Sequence, residues 1–302
     1  MKVQSRLLRR RANVAAYAAL PAPGLEVRPL GDGDEAEVLA FLGERVTQSF
    51  PLIGFIRSNG LSSPDNRGTF YACRNAHGRL EGVALIGHAT LMAVRVEAAV
   101  AAFARQAQTC GDLFMLFGEP ATAQGFWCHY AARGQQFRRY SRHVLFEQTQ
   151  ACGTEEVAGL RLAVMDDLDL IVPVHAHLAY AESGVDPLAS DPKGFRERCA
   201  KRIHHNQTWV WREGDRLIFK ADVFTDSPEV VYLEGIAVHP EERGKGHGRR
   251  CLQQLTRVLL ERTHSVILLT NAERRAAQRF YLRAGYAMKG YYDAFFLNPD
   301  AC

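Results

Sequence analysis

Val230-Val231-Tyr232-Leu233-Glu234-Gly235-Ile236-Ala237-Val238 is an apolar run, closed by His239-Pro240-Glu241-Glu242 and followed by Arg243-Gly244-Lys245-Gly246-His247-Gly248-Arg249. The run is rich in β-branched and aromatic residues and predicts a buried strand. From Cys251 to Glu261 the apolar residues Leu252, Leu255, Val258 and Leu259 fall at helical spacing. A glycine-rich loop therefore joins a strand to a helix. The first turn of a helix leaves its N–H groups without partners and carries a partial positive charge, so a loop whose glycines admit a ligand to the backbone is a phosphate cradle.

Two nucleotide-binding loops are excluded by residue identity. The P-loop requires G-x-x-x-x-G-K-[ST], and Gly244 is followed by neither that spacing nor a Lys-Ser/Thr pair. The dinucleotide fingerprint requires G-x-G-x-x-G, and Arg249 stands where its last glycine belongs. What the residues do fill is R-x-x-G-x-G preceded by V-x-P, through Val238, Pro240, Arg243, Gly246 and Gly248. Further on, a predicted strand Ser265 to Thr270 leads to Asn271, then to a helix carrying Ala276, Ala277, Phe280 and Tyr281, then to Gly285-Tyr286. Taken in this order, the segments resemble the acetyl-CoA pyrophosphate loop and the N…A…(F/Y)Y…G(F/Y) segment of the GNAT (Gcn5-related) N-acetyltransferases. The motifs cover Tyr232 to Tyr286, and the spacing from Asn271 to Tyr281 is longer than in the commonest form.

The chain has 302 residues, which predicts two domains. With 47% apolar and 23% charged residues it has the composition of a soluble globular protein. The longest apolar candidate, Leu80 to Val96, is broken by Glu81, His88 and Arg95, so neither a membrane span nor a membrane partner is expected. The net charge is +4, and Lys2, Arg6, Arg9, Arg10 and Arg11 account for it. The body is thus nearly neutral, and a nucleic-acid partner is not expected beyond that tail. The tail itself reads as a solvated amphipathic segment, a nucleic-acid or membrane contact, or a targeting segment. Val14 to Leu20, short, Ala-rich and closed by Pro21 and Pro23, makes a poor secretory signal. Cys73, Cys110, Cys128, Cys152, Cys199, Cys251 and Cys302 are odd in number and show neither C-x-x-C nor zinc spacing, while His175 and His177 fall on different helix faces. Reduced thiols, a cytoplasmic location and no metal are the expectation; oligomeric state is not legible.

The two halves share a sketch. Gly24 to Leu30 alternates like a strand, Gly31 to Asp34 is acidic, and a helix follows through Val38, Leu39, Phe41 and Leu42; from Gly159, alternating Leu160, Leu162 and Val164 precede Asp166-Asp167 and a helix through Leu170, Ile171, Val174 and His177. A hairpin of Thr69–Arg74 with Leu80–Gly87 matches one of Thr208–Arg212 with Leu217–Val223. After the first hairpin, however, Thr90 to Glu97 runs into an Ala-rich helix without a glycine, so no backbone cradle can form there. With the resemblance, this implies a bacterial two-domain arrangement of α/β class: a basic tail 1–23, a degenerate GNAT-like domain 24–150, a linker 151–158 and a catalytic GNAT domain 159–302. Each domain is expected to be a mostly antiparallel twisted sheet flanked by helices.

The resemblance also implies roles. A pyrophosphate of acetyl-CoA is expected on the backbone of Arg243, Gly244, Lys245, Gly246, His247 and Gly248, with Arg249 adding charge; Lys245 is equally readable as a solvated loop charge. A strand bulge at Gly235 is expected to free the N–H of Ile236 or Val238 for the thioester oxygen, with Ile236, Ala237 and Val238 lining the pantetheine arm. Tyr281, four residues before Gly285, is the expected general acid, Phe280 beside it is core or cofactor-facing, and Asn271 is placed to bond the cofactor or a water. Glu234 is the expected base, or else a carboxylate paired with Lys220 or facing solvent. The acceptor that the resemblance implies is a primary amine of a small molecule or peptide. Deprotonating a lysine-like amine of pKa about 10.4 at neutral pH costs roughly 4.6 kcal/mol, against about 1 for an α-amine near 7.7 to 8.0, so a base matters most for the former. The acceptor end is expected between Tyr180–Phe195 and Tyr286–Phe296. There Glu182, Asp186 and Asp191 read either as a welcome for a cation or as a turn-rich surface. O-acylation, another acyl chain, or a CoA-binding regulatory module without turnover remain open on the same scaffold.

Overall fold

The computed structural model describes residues 24–111 and 113–297; the basic segment 1–23 lies outside them. The chain packs as two compact units, one of residues 24–142 and 292–297, the other of His143–Tyr291. The chain does not divide once near residue 150. Its last strand begins in the second unit and ends in the first.

The first unit contains β1 (Glu26–Pro29), α1 (Glu35–Gly43), α2 (Val46–Asn59), β2 (Gly68–Arg74), β3 (Leu80–Gly87), β4 (Ala89–Val94), α3 (Glu97–Ala107), β5 (Met115–Gly118), α4 (Pro120–Tyr130) and the start of β6 (Phe137–Gln148). β1 to β4 form an antiparallel meander, β4 pairs in parallel with β5 at Ala89 and Thr90, and β5 pairs antiparallel with Asp293–Phe296. One face is buried under α1 and α2 through Val38, Leu42, Leu52 and Ile56, the other under α3 and α4 through Phe103, Phe126 and Phe295.

The second unit repeats the plan with β7 (Arg161–Leu162), α5 (Leu168–Ser183), α6 (Pro187–Ser190), α7 (Pro192–His204), β8 (Thr208–Glu213), β9 (Arg216–Asp226), β10 (Val231–Val238), α8 (His247–Leu260), β11 (Val266–Asn271), α9 (Arg275–Arg283) and β12 (Ala287–Leu297). β7 to β10 are antiparallel neighbours, β10 pairs in parallel with β11, and β11 pairs antiparallel with His143–Gln148. Parallel pairing thus falls at the same place in both units, after the second hairpin strand. The helical spacing after the glycine loop becomes α8, which buries Cys251, Leu252, Leu255 and Leu259 against the odd-numbered face of β9 and β10. Each such leucine contributes roughly 1.5–3 kcal/mol of burial, which anchors the helix and fixes where its N-terminus lies. No helix among the described residues is long and apolar enough to cross a membrane.

Candidate active site

The site begins with a defect in pairing. β10 registers with β11 only from Val231 to Leu233, although both strands continue. On its other side β10 keeps to β9, but the register slips between Glu234, opposite Asp222, and Ala237, opposite Lys220. Two residues, Gly235 and Ile236, face one, which is a β-bulge. Gly235 has φ of +59°, a conformation that favours glycine. The irregularity that the resemblance implied is therefore found at Gly235, and beyond Leu233 a cleft opens between the two strands.

The loop after β10 closes one end of this cleft. Gly244 and Gly246 have φ of +81° and +85°, and a Cβ on either would meet nothing within 4 Å, so the backbone is bare on that side. Gly246 is the N-cap of α8, and the first helical bond runs from the Arg250 N–H to the Gly246 carbonyl at 3.2 Å. The amides of His247, Gly248 and Arg249 consequently have no intrahelical acceptor. A Cβ at Gly248 would lie 2.5 Å from Val238 Cγ2, so glycine here lets the helix end pack directly on the strand.

The cleft measures about 1240 Å³. Of the residues singled out from the sequence, Ile236, Ala237, Val238, Arg243, Gly244, Gly246, Gly248, Arg249, Phe280 and Tyr281 line it. So do Arg274, Arg275 and Arg283, against the acids Glu242 and Glu273, which leaves an excess of positive charge, and Lys220, whose own charge is matched by Asp222. The His239 Nδ1, on the same wall, is buried without a hydrogen-bond partner. Bare glycine backbone, an uncapped helix end, an orphaned imidazole nitrogen and surplus cations together fit a long polyanion with amide groups, the chemistry of coenzyme A. Tyr281 is 7% exposed, and burial pushes its phenol up to about 12, with Arg274 partly opposing. It holds its proton at any physiological pH.

Other expected residues sit elsewhere. Glu234 does not line the cleft; its carboxylate pairs with Arg202 Nη1 at 2.6 Å, not with Lys220. The Asn271 side-chain oxygen accepts from the Glu273 N–H at 2.8 Å and shapes the turn after β11. Lys245 pairs with Glu242 at 3.0 Å, and the His247 ring lies edge-on to Trp211. Asp186 and Asp191 are the N-caps of α6 and α7, accepting from the Leu188 and Gly194 amides, and Asp191 also pairs with Arg198. Tyr286 is buried with its hydroxyl 2.6 Å from Thr256 Oγ1, while Phe295 packs in the core of the first unit. From α5 it is Val174, His177 and Leu178 that line the cleft.

One cluster escaped the sequence reading. On the face of β9 and β10 covered by α5 and α7, Lys220, wholly buried, pairs with Asp222, which also meets Thr208 Oγ1 at 2.8 Å, His175 Nδ1 at 3.3 Å and Arg202 at 3.3 Å. Although burial works against it, the surrounding Lys220, His175 and Arg202 hold the Asp222 carboxyl far below its ordinary range. Its signal was present: two charges two residues apart in an otherwise apolar strand share one face.

Residues 176–286 match the model of the acetyltransferase (GNAT) family. The second unit carries a GNAT domain. No curated protein matches the chain. Among solved structures it is similar to a GNAT-family acetyltransferase from Colwellia psychrerythraea, with 13% identity over 90% of this chain and 100% of that one and a TM-score of 0.57. A Drosophila protein gives 12% identity over 91% and 99%, with a TM-score of 0.64. A tandem GNAT protein from the clavulanic acid biosynthesis pathway gives 13% over 90% and 97%, with a TM-score of 0.54. At these identities the likeness is one of fold, and it extends over both units. The glycine loop, the bulge and Tyr281 all fall inside the GNAT match, whereas β7 and the first turns of α5 precede it.

Proposed function

We propose that the second unit is an acetyl-CoA-dependent N-acetyltransferase that passes the acetyl group to a primary amine in a ternary complex, and that the first unit is a degenerate copy without a cofactor loop. The observation that carries this reading is the convergence of the diverging strand β10, the bare loop Arg243–Gly248 and the protonated Tyr281 on one cleft. The pyrophosphate of coenzyme A is held by the amides of the loop and of the first turn of α8, whose dipole contributes about 0.3–1 kcal/mol. Arg243, Arg249 and Arg274 add charge around it. The bound group supplies an activated thioester carbonyl and a thiol leaving group.

The rest is done by the chain. Beyond Leu233 the inner edge of β10 has no registered strand partner, so its amides pair with the pantetheine arm as a neighbouring strand would. An N–H at the bulge, from Ile236, or one from Val238, points at the carbonyl oxygen, and a donor of this kind is worth roughly 10²–10³ in turnover. Tyr281 keeps a proton ready for the departing sulfur; a thiol of pKa about 8.5 is protonated readily only by a group that still has its proton. With Glu234 tied to Arg202 and outside the cleft, an amine that ionises near neutrality is the acceptor this site suits best, because it needs little help from a base.

Calorimetric titration with CoA, followed by acetyl-CoA turnover against a panel of small and peptide amines, tests the reading. The expected outcome is one CoA per chain and turnover highest with α-amines. An intact protein that binds no CoA refutes it; one that binds CoA but acetylates nothing in the panel leaves a CoA-responsive module as the better description.

A further inference from the structure

The buried cluster beneath the bulge has a geometry that ordinary packing does not require. Lys220 Nζ lies 3.4 Å from the Gly235 carbonyl oxygen and against Asp222, and it lines the cleft while its residue remains wholly buried. The approach is close enough that a Cβ at Gly235 would fall 2.6 Å from Asp222 Oδ2 and 2.9 Å from Lys220 Nζ. Asp222 cannot swing away, because Thr208 fixes one carboxylate oxygen and His175 and Arg202 meet the other. A buried ammonium is tolerated only where it is paired and hydrogen-bonded, so its position is closely determined.

We propose that Lys220, braced by Asp222, is a positioning residue that pins the Gly235 carbonyl toward β9 and so turns the Ile236 N–H toward the cleft. The peptide between Gly235 and Ile236 is planar, and its C=O and N–H point in opposite directions. Fixing one fixes the other. The N–H then leaves on the side where β11 has departed, where the thioester oxygen would lie. The ammonium also places positive charge beside the peptide whose dipole meets the developing negative charge, in a site screened from water. The proposal rests on the acetyltransferase reading, and it assigns to Lys220 an effect on the reacting carbonyl, not on cofactor affinity.

The test uses the full chain with [1-¹³C]acetyl-CoA as the probe and needs no acceptor. Binding to the unmodified protein is expected to move the carbonyl carbon resonance downfield by on the order of 1 ppm or more, the signature of a polarised carbonyl. Lys220→Met is expected to lose at least about half of that displacement while the Kd for CoA changes less than about threefold. Lys220→Gln keeps a donor for the Gly235 oxygen and is expected to restore most of the displacement, which a merely structural role would not predict. Should Lys220→Met not fold, Gly235→Ala, whose new Cβ strikes the clamp, is expected to show the same loss. A full displacement in Lys220→Met or in Gly235→Ala, or equal losses in the Met and Gln variants, overturns the clamp alone. Failure of the unmodified protein to bind CoA overturns the reading beneath it.

Discussion

Both units bring a strand alongside a parallel partner and then turn it into a helix, but they make that junction differently. In the first unit β4 ends at Val94, and only Arg95 and Val96 precede α3. In the second, β10 ends at Val238, and the chain from His239 to Gly246 loops out before α8. The helix ends also differ in charge. α3 begins with Glu97, an acid that complements its own helix dipole, whereas the first turn of α8 has no acid and leaves the amides of His247, Gly248 and Arg249 without an intrahelical acceptor. The crevice beside β4 measures about 30 Å³ and is lined by Glu44, Arg45, Arg95 and Glu119 among others; its counterpart beside β10 measures about 1240 Å³. One scaffold thus gives a narrow crevice in one unit and a wide cleft rimmed by cations in the other. The difference lies in loop length and in the charge and glycine content at the start of the helix.

The sharpest test of the open cleft is its chemistry. Tyr281→Phe removes one hydroxyl from a buried ring and is expected to lower acetyl-CoA turnover by about 10²–10⁴-fold, the usual range for a lost proton donor, with CoA affinity unchanged within about threefold. Steady-state kinetics beside calorimetry measure both. Because burial raises this phenol to about 12, its proton is secure below that value, and any stability it confers is lost only as pH climbs from about 10 through about 12. An alkaline fall in activity near pH 8 or 9 that vanishes in Tyr281→Phe would mean that the phenol ionises far more easily than its surroundings dictate.

Next in size is the cradle itself. Gly246→Asp puts a side chain on a residue with φ of +85° and a negative charge where the α8 dipole welcomes one from the ligand. CoA binding is expected to weaken by roughly tenfold to a hundredfold, with Gly246→Ala, which carries the strain but not the charge, falling between. Unchanged affinity in the Asp variant would move the pyrophosphate elsewhere. Gly248→Ala is expected to act through packing: its Cβ would lie 2.5 Å from Val238 Cγ2, so the helix end must shift, at about 1–3 kcal/mol of stability measured by thermal or denaturant unfolding.

These residues also show what could be read without coordinates. The glycines at 244, 246 and 248, the bulge at Gly235 and the helix bearing Tyr281 were legible because each answers a local demand of backbone or period, and local demands leave marks in the sequence. The doubling of the fold was legible for the same reason, through matched hairpins. Partnerships between distant residues left no such mark. Nothing in the strand around Glu234 announces that Arg202, on a helix well upstream, takes its carboxylate. Lys220 and Asp222 came nearest to discovery, since charges on the inward face of a strand must be paired somewhere, but alternation alone cannot say with whom.

The smallest effect belongs to the closed crevice, and it tests the comparison from the other side. Arg95 pairs with Glu44, donates to the Leu80 carbonyl at 2.6 Å and lies over the Phe41 ring at 4.6 Å, so its side chain fills the place where a ligand would begin to enter. If bulk alone kept coenzyme A out of the first unit, Arg95→Ala would admit a second molecule. If the missing glycines and the acid at the start of α3 decide the matter, the enlarged crevice still lacks a glycine-bared backbone and repels phosphate through Glu97. Arg95→Ala is therefore expected to lower stability by only about 1 kcal/mol, since the ion pair is partly exposed and the ring contact modest, and to leave the calorimetric stoichiometry at one CoA per chain. A stoichiometry of two would show that an arginine side chain, and not the backbone of the junction, separates the two units.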